Sequence, residues 1–273
     1  MKMPTGKMML VFRKREDGRT YLARQYFKLP LQIMPPHYQD EDGTAFVYLL
    51  NPSGGVLQHD RLFSEIILEK NSRALITTPA STKLYKMEDG HAEIVNRFQV
   101  GEGSALEYLP EHNVPFAQSK TLLENIFYLD KDGILIASDM VTAGRVSRGE
   151  IFDYDLYASK TKIYVDGRLM VYDNSRIEPK TMDLREAGML EGYLVNGTVY
   201  VYAPALAKNL AEELNTCIHG GNVRFAAGNI TERLLVARFL GRSMIDLENT
   251  MMNVWGKIRE SVLGKPAVRI RKF

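Results

Sequence analysis

Cysteine is almost missing from this chain: Cys217 is the single one in 273 residues. No intrachain disulfide can form and no multi-cysteine zinc framework exists, so a reducing compartment is expected. An excess of one charge is lacking too. Lys plus Arg number 35 and Asp plus Glu 33, a net +2. General nucleic-acid binders carry a marked basic excess. Long apolar runs are absent: nothing approaches the ~20 residues of a membrane span. The run Met8–Phe12 is too short for a secretory core. These absences point to a soluble, cytoplasmic protein that engages neither membrane nor nucleic acid. Catalytic signatures are missing as well. The chain has no Gly-x-Ser-x-Gly elbow, no phosphate loop and no His-Glu-x-x-His pair.

What is present is strand. Apolar side chains make up 45% of the chain, enough for a sizeable core. They fall in short alternating runs such as Lys7–Phe12, Thr44–Leu50, Ser64–Leu68, Ala92–Val100, Ile134–Met140 and Thr198–Tyr202. Between them stand EDGRT, EDGTA, NPSGG, EDGHA, DKDG and VNGT. Glycine in such dipeptides accepts positive φ without steric cost. This density of strands and turns predicts a mainly antiparallel β architecture, and no βαβ alternation suggests a doubly wound fold. The strands share no fixed period, so repeat counting does not predict a regular solenoid. Two segments read as helices, both in the C-terminal third. Ala205–Thr216 places Leu206, Leu210 and Leu214 at four-residue steps. Asp246–Leu263 carries the stripe Leu247, Met251, Val254, Trp255, Ile258 and Val262, and Gly264 follows it. No linker interrupts the chain, so a single domain over residues 1–273 is expected.

Three clusters hold residues with chemical potential. Asn51-Pro52-Ser53-Gly54-Gly55 forces a tight bend, and His59 and Asp60 follow at the entry to the next strand. The plain alternative is a hairpin loop with a solvated aspartate. Thr77–Tyr85 packs four hydroxyls, Lys83 and Tyr85 into nine residues. Its plain alternative is a polar strand whose hydroxyls satisfy backbone groups. Gly144–Phe152 carries Arg145, Arg148 and Glu150 between apolar strands, where an Arg–Glu pair is most simply structural. Cys217 and His219 are spaced as Cys-x-His, which alone cannot saturate a metal.

Taken in order, these segments resemble the urease accessory protein family UreD, also called UreH. NPSGGVLQHDRL resembles the family's Asn-Pro-x-Gly-Gly segment with its following aspartate. RALITTPASTKLYK, SALEYLPEHNVPFAQSK and GRVSRGEIFDY resemble three further segments. LLVARFLGRSM followed by VWGKIRESVLGKPAVRIRKF resembles the family's C-terminal helix and tail. Gln58 and His59 stand where many members have a glycine pair, and the tail lacks the tryptophan common at the family's end.

The resemblance implies a mainly β, elongated superhelical or stacked-sheet body with two α-helices in the C-terminal third. It implies a non-catalytic scaffold that binds UreF, through it the GTPase UreG, and the urease apoprotein. Nickel would be a transferred ion and no cofactor would be tightly bound. A releasable route for such an ion needs oxygen and imidazole ligands. His59, Asp60 and Glu150 are the candidate nickel-contacting residues and Thr82 a further lining residue, with Lys83 and Arg145 fixing carboxylates. Met251 and Trp255 suit either core packing or partner docking. Arg269 and Arg271 in the basic tail suit an acidic partner or solvent. The competing class is a β-fold hydrolase or lyase using Asp60, Glu150, Lys83 and Arg145, residue types that acid–base chemistry employs.

Overall fold

A computed structural model describes residues 3–218 and 221–270. His219 and Arg271 therefore lie outside the described residues. The chain opens with β1 (Gly6–Lys14), β2 (Thr20–Lys28) and β3 (Gln32–Ile33). It then winds as a coil through β4 (Ala45–Leu50), β5 (Arg61–Leu68), β6 (Arg73–Thr77), β7 (Thr82–Leu84), β8 (Ala92–Val100) and β9 (Ala105–Leu109). The coil continues through β10 (Asn113–Pro115), β11 (Lys120–Leu129), β12 (Ile134–Thr142) and β13 (Leu156–Val165). An antiparallel tail closes the chain: β14 (Arg168–Ile177), β15 (Val195–Tyr202), α1 (Leu210–Cys217), β16 (Val223–Thr231), β17 (Leu234–Gly241) and α2 (Met244–Leu263).

Successive coil strands alternate between two facing sheets. The seven-stranded sheet runs β14-β13-β11-β8-β5-β1-β2, and the larger runs β16-β17-β15-β12-β9-β6-β4-β3 with β7 and β10 as a short third side. Within the coil the neighbours are parallel, as β5 with β8, β8 with β11, and β6 with β9. Antiparallel pairs are confined to the ends, such as β1 with β2 and β13 with β14. This corrects the antiparallel expectation and the reading against a solenoid. Alternating strands and Asp-Gly turns look the same whether a bend closes a hairpin or turns a corner between sheets. The spacing is also uneven: Arg61 pairs Glu93, 32 residues on, Ala92 pairs Thr121, 29 on, and Lys120 pairs Leu156, 36 on. Corner loops of different length hide the period.

The two sheets differ in how they are covered. β5 alternates half-buried and buried residues along its length, because only its inner face meets the core. β9 is buried at every position, Ala105–Leu109, because helices lie on the outer face of its sheet. Phe12, Phe98, Phe127 and Leu106 fill the space between the sheets. Leu210 and Leu214 of α1, and Leu247, Met251, Val254, Trp255 and Ile258 of α2, pack against the outer side of the larger sheet. Met251 and Trp255 are thus core residues, whereas Arg269 is exposed.

Both helices form where expected, with shifted starts. Ser243 caps α2 by accepting from the Asp246 amide at 3.2 Å, and Gly264 ends it at φ 66°. α1 begins at Leu210, not Ala205, and the buried Leu206 lies in the segment before it. No helix among the described residues is long and apolar enough to cross a membrane.

One buried ion network fixes α2 to the sheet. Glu107 of β9 accepts from Trp255 Nε1 at 2.8 Å and from Arg259 Nε at 3.1 Å. Arg259, fully buried, also donates to Asp40 and to the Pro266 carbonyl. Lys265 pairs with Asp40 at 3.2 Å and with Asp42 at 2.6 Å. Burial raises the Glu107 carboxyl above its usual range, and the Arg259 charge and hydrogen bonds oppose that.

Replacing Glu107 with Ala removes one of the two carboxylates that pair the buried Arg259 and leaves the Trp255 indole without its acceptor, so urea unfolding should show a loss of about 3–5 kcal/mol. Glu107→Leu with Arg259→Met should recover most of it. Burial alone would raise the Asp42 carboxyl, but hydrogen bonds from Lys265 and Thr44 hold it at about 2 against an ordinary 3.8. A depressed carboxylate stabilises the fold above its unfolded pKa, and that contribution fades as pH falls through the folded value. Stability should therefore drop between pH 3.8 and about 2, and Asp42→Asn should flatten that part of the unfolding-against-pH curve.

Candidate functional site

The bend at Asn51–Gly55 is a corner between β4 and β5, which lie in different sheets. Asn51 holds it, its Nδ2 donating to the Gly55 carbonyl at 3.1 Å while its Oδ1 accepts from Ser53 Oγ at 2.6 Å. Gly55 has no room for a side chain. At φ 156° a Cβ would sit 2.5 Å from the Lys83 carbonyl and 2.6 Å from the Tyr85 ring. The corner is clipped to the third side of the coil, as Val56 N donates to Lys83 O at 2.8 Å and Tyr85 N to Val56 O at 2.9 Å.

Segments far apart in sequence converge here. Tyr85 meets Phe116 edge-on at 4.9 Å, and the Arg145 guanidinium lies 4.0 Å over the Phe116 ring. Arg145 grips Glu150 through Nε and Nη2, Nε donating to Oε2 at 2.7 Å. That hydrogen bond holds the Glu150 carboxyl below its usual range. Glu150 Oε2 also accepts from the Ala117 amide at 3.3 Å. Gly55, Lys83, Tyr85, Phe116, Arg145 and Glu150 thus meet in one cluster beside the third side of the coil.

Beneath the corner lies a cavity of about 260 Å³ between the sheets. Asn51, Gly54, Gly55, Thr82 and Lys83 line its rim, with Glu111 and Asn113 beside them. Its floor is polar because of strand register. Ser64 pairs Asn96, Asn96 pairs Asn125, Asn125 pairs Thr161, and Thr161 pairs Asp173. Side chains in register on parallel strands share a face, so a row of small polar groups crosses the sheet. Asn96 Nδ2 donates to Asn125 Oδ1 at 3.0 Å.

Asp139, from β12 opposite, lines this cavity and also a second one of about 40 Å³ that reaches Tyr200 and Arg238. Burial lifts its carboxyl above the usual range. A hydrogen bond from Ser159 opposes the shift, and the charge of Asp173 adds to it. Asp173 in turn accepts from Tyr200 OH and Arg238 Nη2, both at 2.7 Å.

The sequence candidates are distributed unevenly about this cavity. Thr82 and Lys83 line it, while His59, Asp60, Arg145 and Glu150 do not. Asp60 accepts from the Leu57 amide at 2.8 Å and from Thr5 Oγ1 at 3.3 Å, which closes its own turn and pins the start of β1. His59 is exposed at φ 66° and faces Gly90. Thr77 and Thr78 bind backbone, Thr77 Oγ1 donating to Leu109 O at 2.6 Å and Thr78 Oγ1 accepting from Glu111 N at 2.9 Å. Cys217 is exposed. Among the described residues no group of three or more His, Cys, Asp or Glu could hold a metal ion.

Three acids escaped the sequence reading: Glu107, Asp139 and Asp173. The signal for the first two was an acid inside an apolar strand, LEYL and LIASDMV. Such an acid faces either a buried partner or a cavity.

Gly55→Ala should cost roughly 1–3 kcal/mol through strain at the corner, measured by urea unfolding. Gly54→Ala, where a Cβ meets nothing nearer than 3.9 Å, should cost less.

Compared with known proteins, the chain matches the family described as UreD urease accessory protein over residues 4–272. It is 36% identical to urease accessory protein UreD of Cenarchaeum symbiosum, covering 82% of this chain and 83% of that protein. It is 30% identical to urease accessory protein UreD 2 of Brucella anthropi, with 92% of each chain covered. UreD of Bacillus cereus is 29% identical over the full length of both. With its stacked-coil body and two C-terminal helices, this chain belongs to the UreD family of urease accessory proteins.

Proposed function

We propose that this urease accessory protein is a non-catalytic scaffold that binds UreF, through it UreG, and the urease apoprotein, and that it assists nickel insertion into urease. The observation that supports the reading is the cavity under the Asn51–Gly55 corner, whose largely apolar lining is crossed by a row of oxygen-bearing side chains. Ser64, Asn96, Asn125, Glu111 and Asp139 offer hydroxyl, amide and carboxylate oxygens without thiolate or imidazole. Such groups hold a borderline divalent cation weakly enough to release it. Nickel in this account is cargo, and no cofactor is needed.

The rim residues have a supporting part. Arg145, Glu150 and Asp60 fix the loops that frame the opening, and Thr82 and Lys83 face into it. The enzyme alternative wants its acids gathered in one cleft. Asp60 and Glu150 are committed to separate loops, and neither lines the cavity.

Asp139→Asn should lower urease activation roughly tenfold, the scale on which loss of a group near a metal path acts. Activation is read as nickel bound per urease and as ammonia release. Asp60→Ala and Glu150→Ala should reduce it less. All three variants should still co-elute with UreF on size exclusion. Full activation by Asp139→Asn would sink the cavity route. Failure of the wild type to co-elute with UreF would sink the scaffold itself.

A further inference from the structure

The two sheets present opposite outer surfaces. α1 and α2 cover the larger sheet, and its outward side chains belong to the cluster around Trp255. Nothing in the described chain packs on the outer face of the seven-stranded sheet. Met9, Val11, Phe63, Ile67 and Val95 all point outward there, and none joins any of the hydrophobic clusters. Ile126 lies among them, between Arg97 and Lys162 on the adjacent strands.

Register sorts this face into a centre and two rims. Lys7 pairs Lys28, and Val11 pairs Arg24, so three cations gather at the β1–β2 edge. At the other edge stand Lys160 and Lys162 of β13, beside the stacked Tyr128–Tyr164 pair and the exposed Tyr172. Two carboxylates lie between, Glu65 facing Arg97 at 4.0 Å and Glu124 paired with Lys162 at 2.7 Å. Three rows across seven strands thus hold six cations against two acids, although the whole chain carries only +2. Six interstrand gaps of ~4.8 Å make the face ~29 Å wide. With ~20 Å along the strands, that is about 600 Å², close to the ~800 Å² one partner buries in a stable interface.

We infer that the outer face of the seven-stranded sheet is a docking surface for a protein partner with an acidic surface. The inference rests on the scaffold reading above and adds where a partner sits. An apolar centre with a charged, tyrosine-bearing rim is the anatomy of a protein interface. A second copy is disfavoured, because a symmetric pairing would set six cations against six. A nucleic acid would find a single aromatic ring at the centre, Phe63, with the Arg97 guanidinium already 5.6 Å over it, where stacking needs several free aromatic planes.

Two charge-reversal pairs test it from opposite rims: Lys160→Glu with Lys162→Glu, and Arg24→Glu with Lys28→Glu. Each is measured by biolayer interferometry against purified UreF, against urease apoprotein and against a labelled single-stranded RNA, at low and at physiological salt. Matching thermal melts with wild type confirm folding, and if one pair fails that check the other decides. The expected result is a loss of about tenfold or more in affinity for one of the two proteins, with the other unchanged. Wild-type binding to the affected protein should weaken as salt rises. Wild-type-like binding of both proteins by the variants overturns the surface and leaves the scaffold standing. Loss of RNA binding alone also overturns it. If the wild type binds neither protein, scaffold and surface fall together.

Discussion

The carboxylate of Glu107 is the fixed point of this molecule. It projects from the middle of β9 toward α2 and takes the indole of Trp255 and the guanidinium of Arg259. A fully buried guanidinium tolerates no vacancy among its partners, since an uncompensated charge costs several kcal/mol. Asp40 and the Pro266 carbonyl supply the rest. Three remote pieces of chain are therefore set by one charge: the loop before β4, the middle of the coil, and the segment after α2. A slide of α2 by one turn would leave Arg259 and Glu107 both unpaired. Hydrophobic packing places the helix on the sheet, and the ion network sets its register.

From that docking follows the division of labour between the sheets. β9 of the larger sheet is buried along its whole length, and its Glu107 carries the network to α2. The seven-stranded sheet has no such cover, and its strands β1 and β5 alternate between buried and half-buried residues. Its inner face is apolar around Phe98 and Phe127 and again around Leu62 and Leu123, with a polar row between them along Ser64, Asn96, Asn125 and Thr161. Parallel register makes both patterns continuous, because each residue stacks on one of its own kind from the next coil. The cavity lies where the row is polar.

Much of the fold was legible, since helix and strand leave local marks. Ala92–Val100 reads as a strand and is one, and the Ser243 and Gly264 caps bracket α2 within two residues of the expected start. Parallel coiling was not legible. Asn51–Gly55 announces a bend, but which strand lies beside β5 depends on β8, some thirty residues away. β11 was hidden by Glu124 and Asn125, which break an apolar alternation. Asn125 breaks it by facing the cavity, so the residue that obscured the strand is one that lines the pocket. For the site, the motif segments do meet in space, through Gly55, Tyr85, Phe116 and Arg145. Their most reactive-looking members, Asp60 and Glu150, are tied into turns. Geometry, not residue type, separated the framing groups from the lining ones.

The polar floor runs against stability. Ser64, Asn125 and Thr161 are each less than a tenth exposed, in a layer where Leu or Val would bury more apolar surface and leave no group to satisfy. The neighbouring rows on the same strands show that the fold accepts such residues, since Leu62 and Leu123 flank the polar row on one side and Ile66 and Phe127 on the other. A row of polar groups in an otherwise apolar layer, opposite an aspartate whose neutral form burial favours, is not explained by packing. It is the kind of local conflict with the folding pattern that proteins keep where they handle something other than themselves.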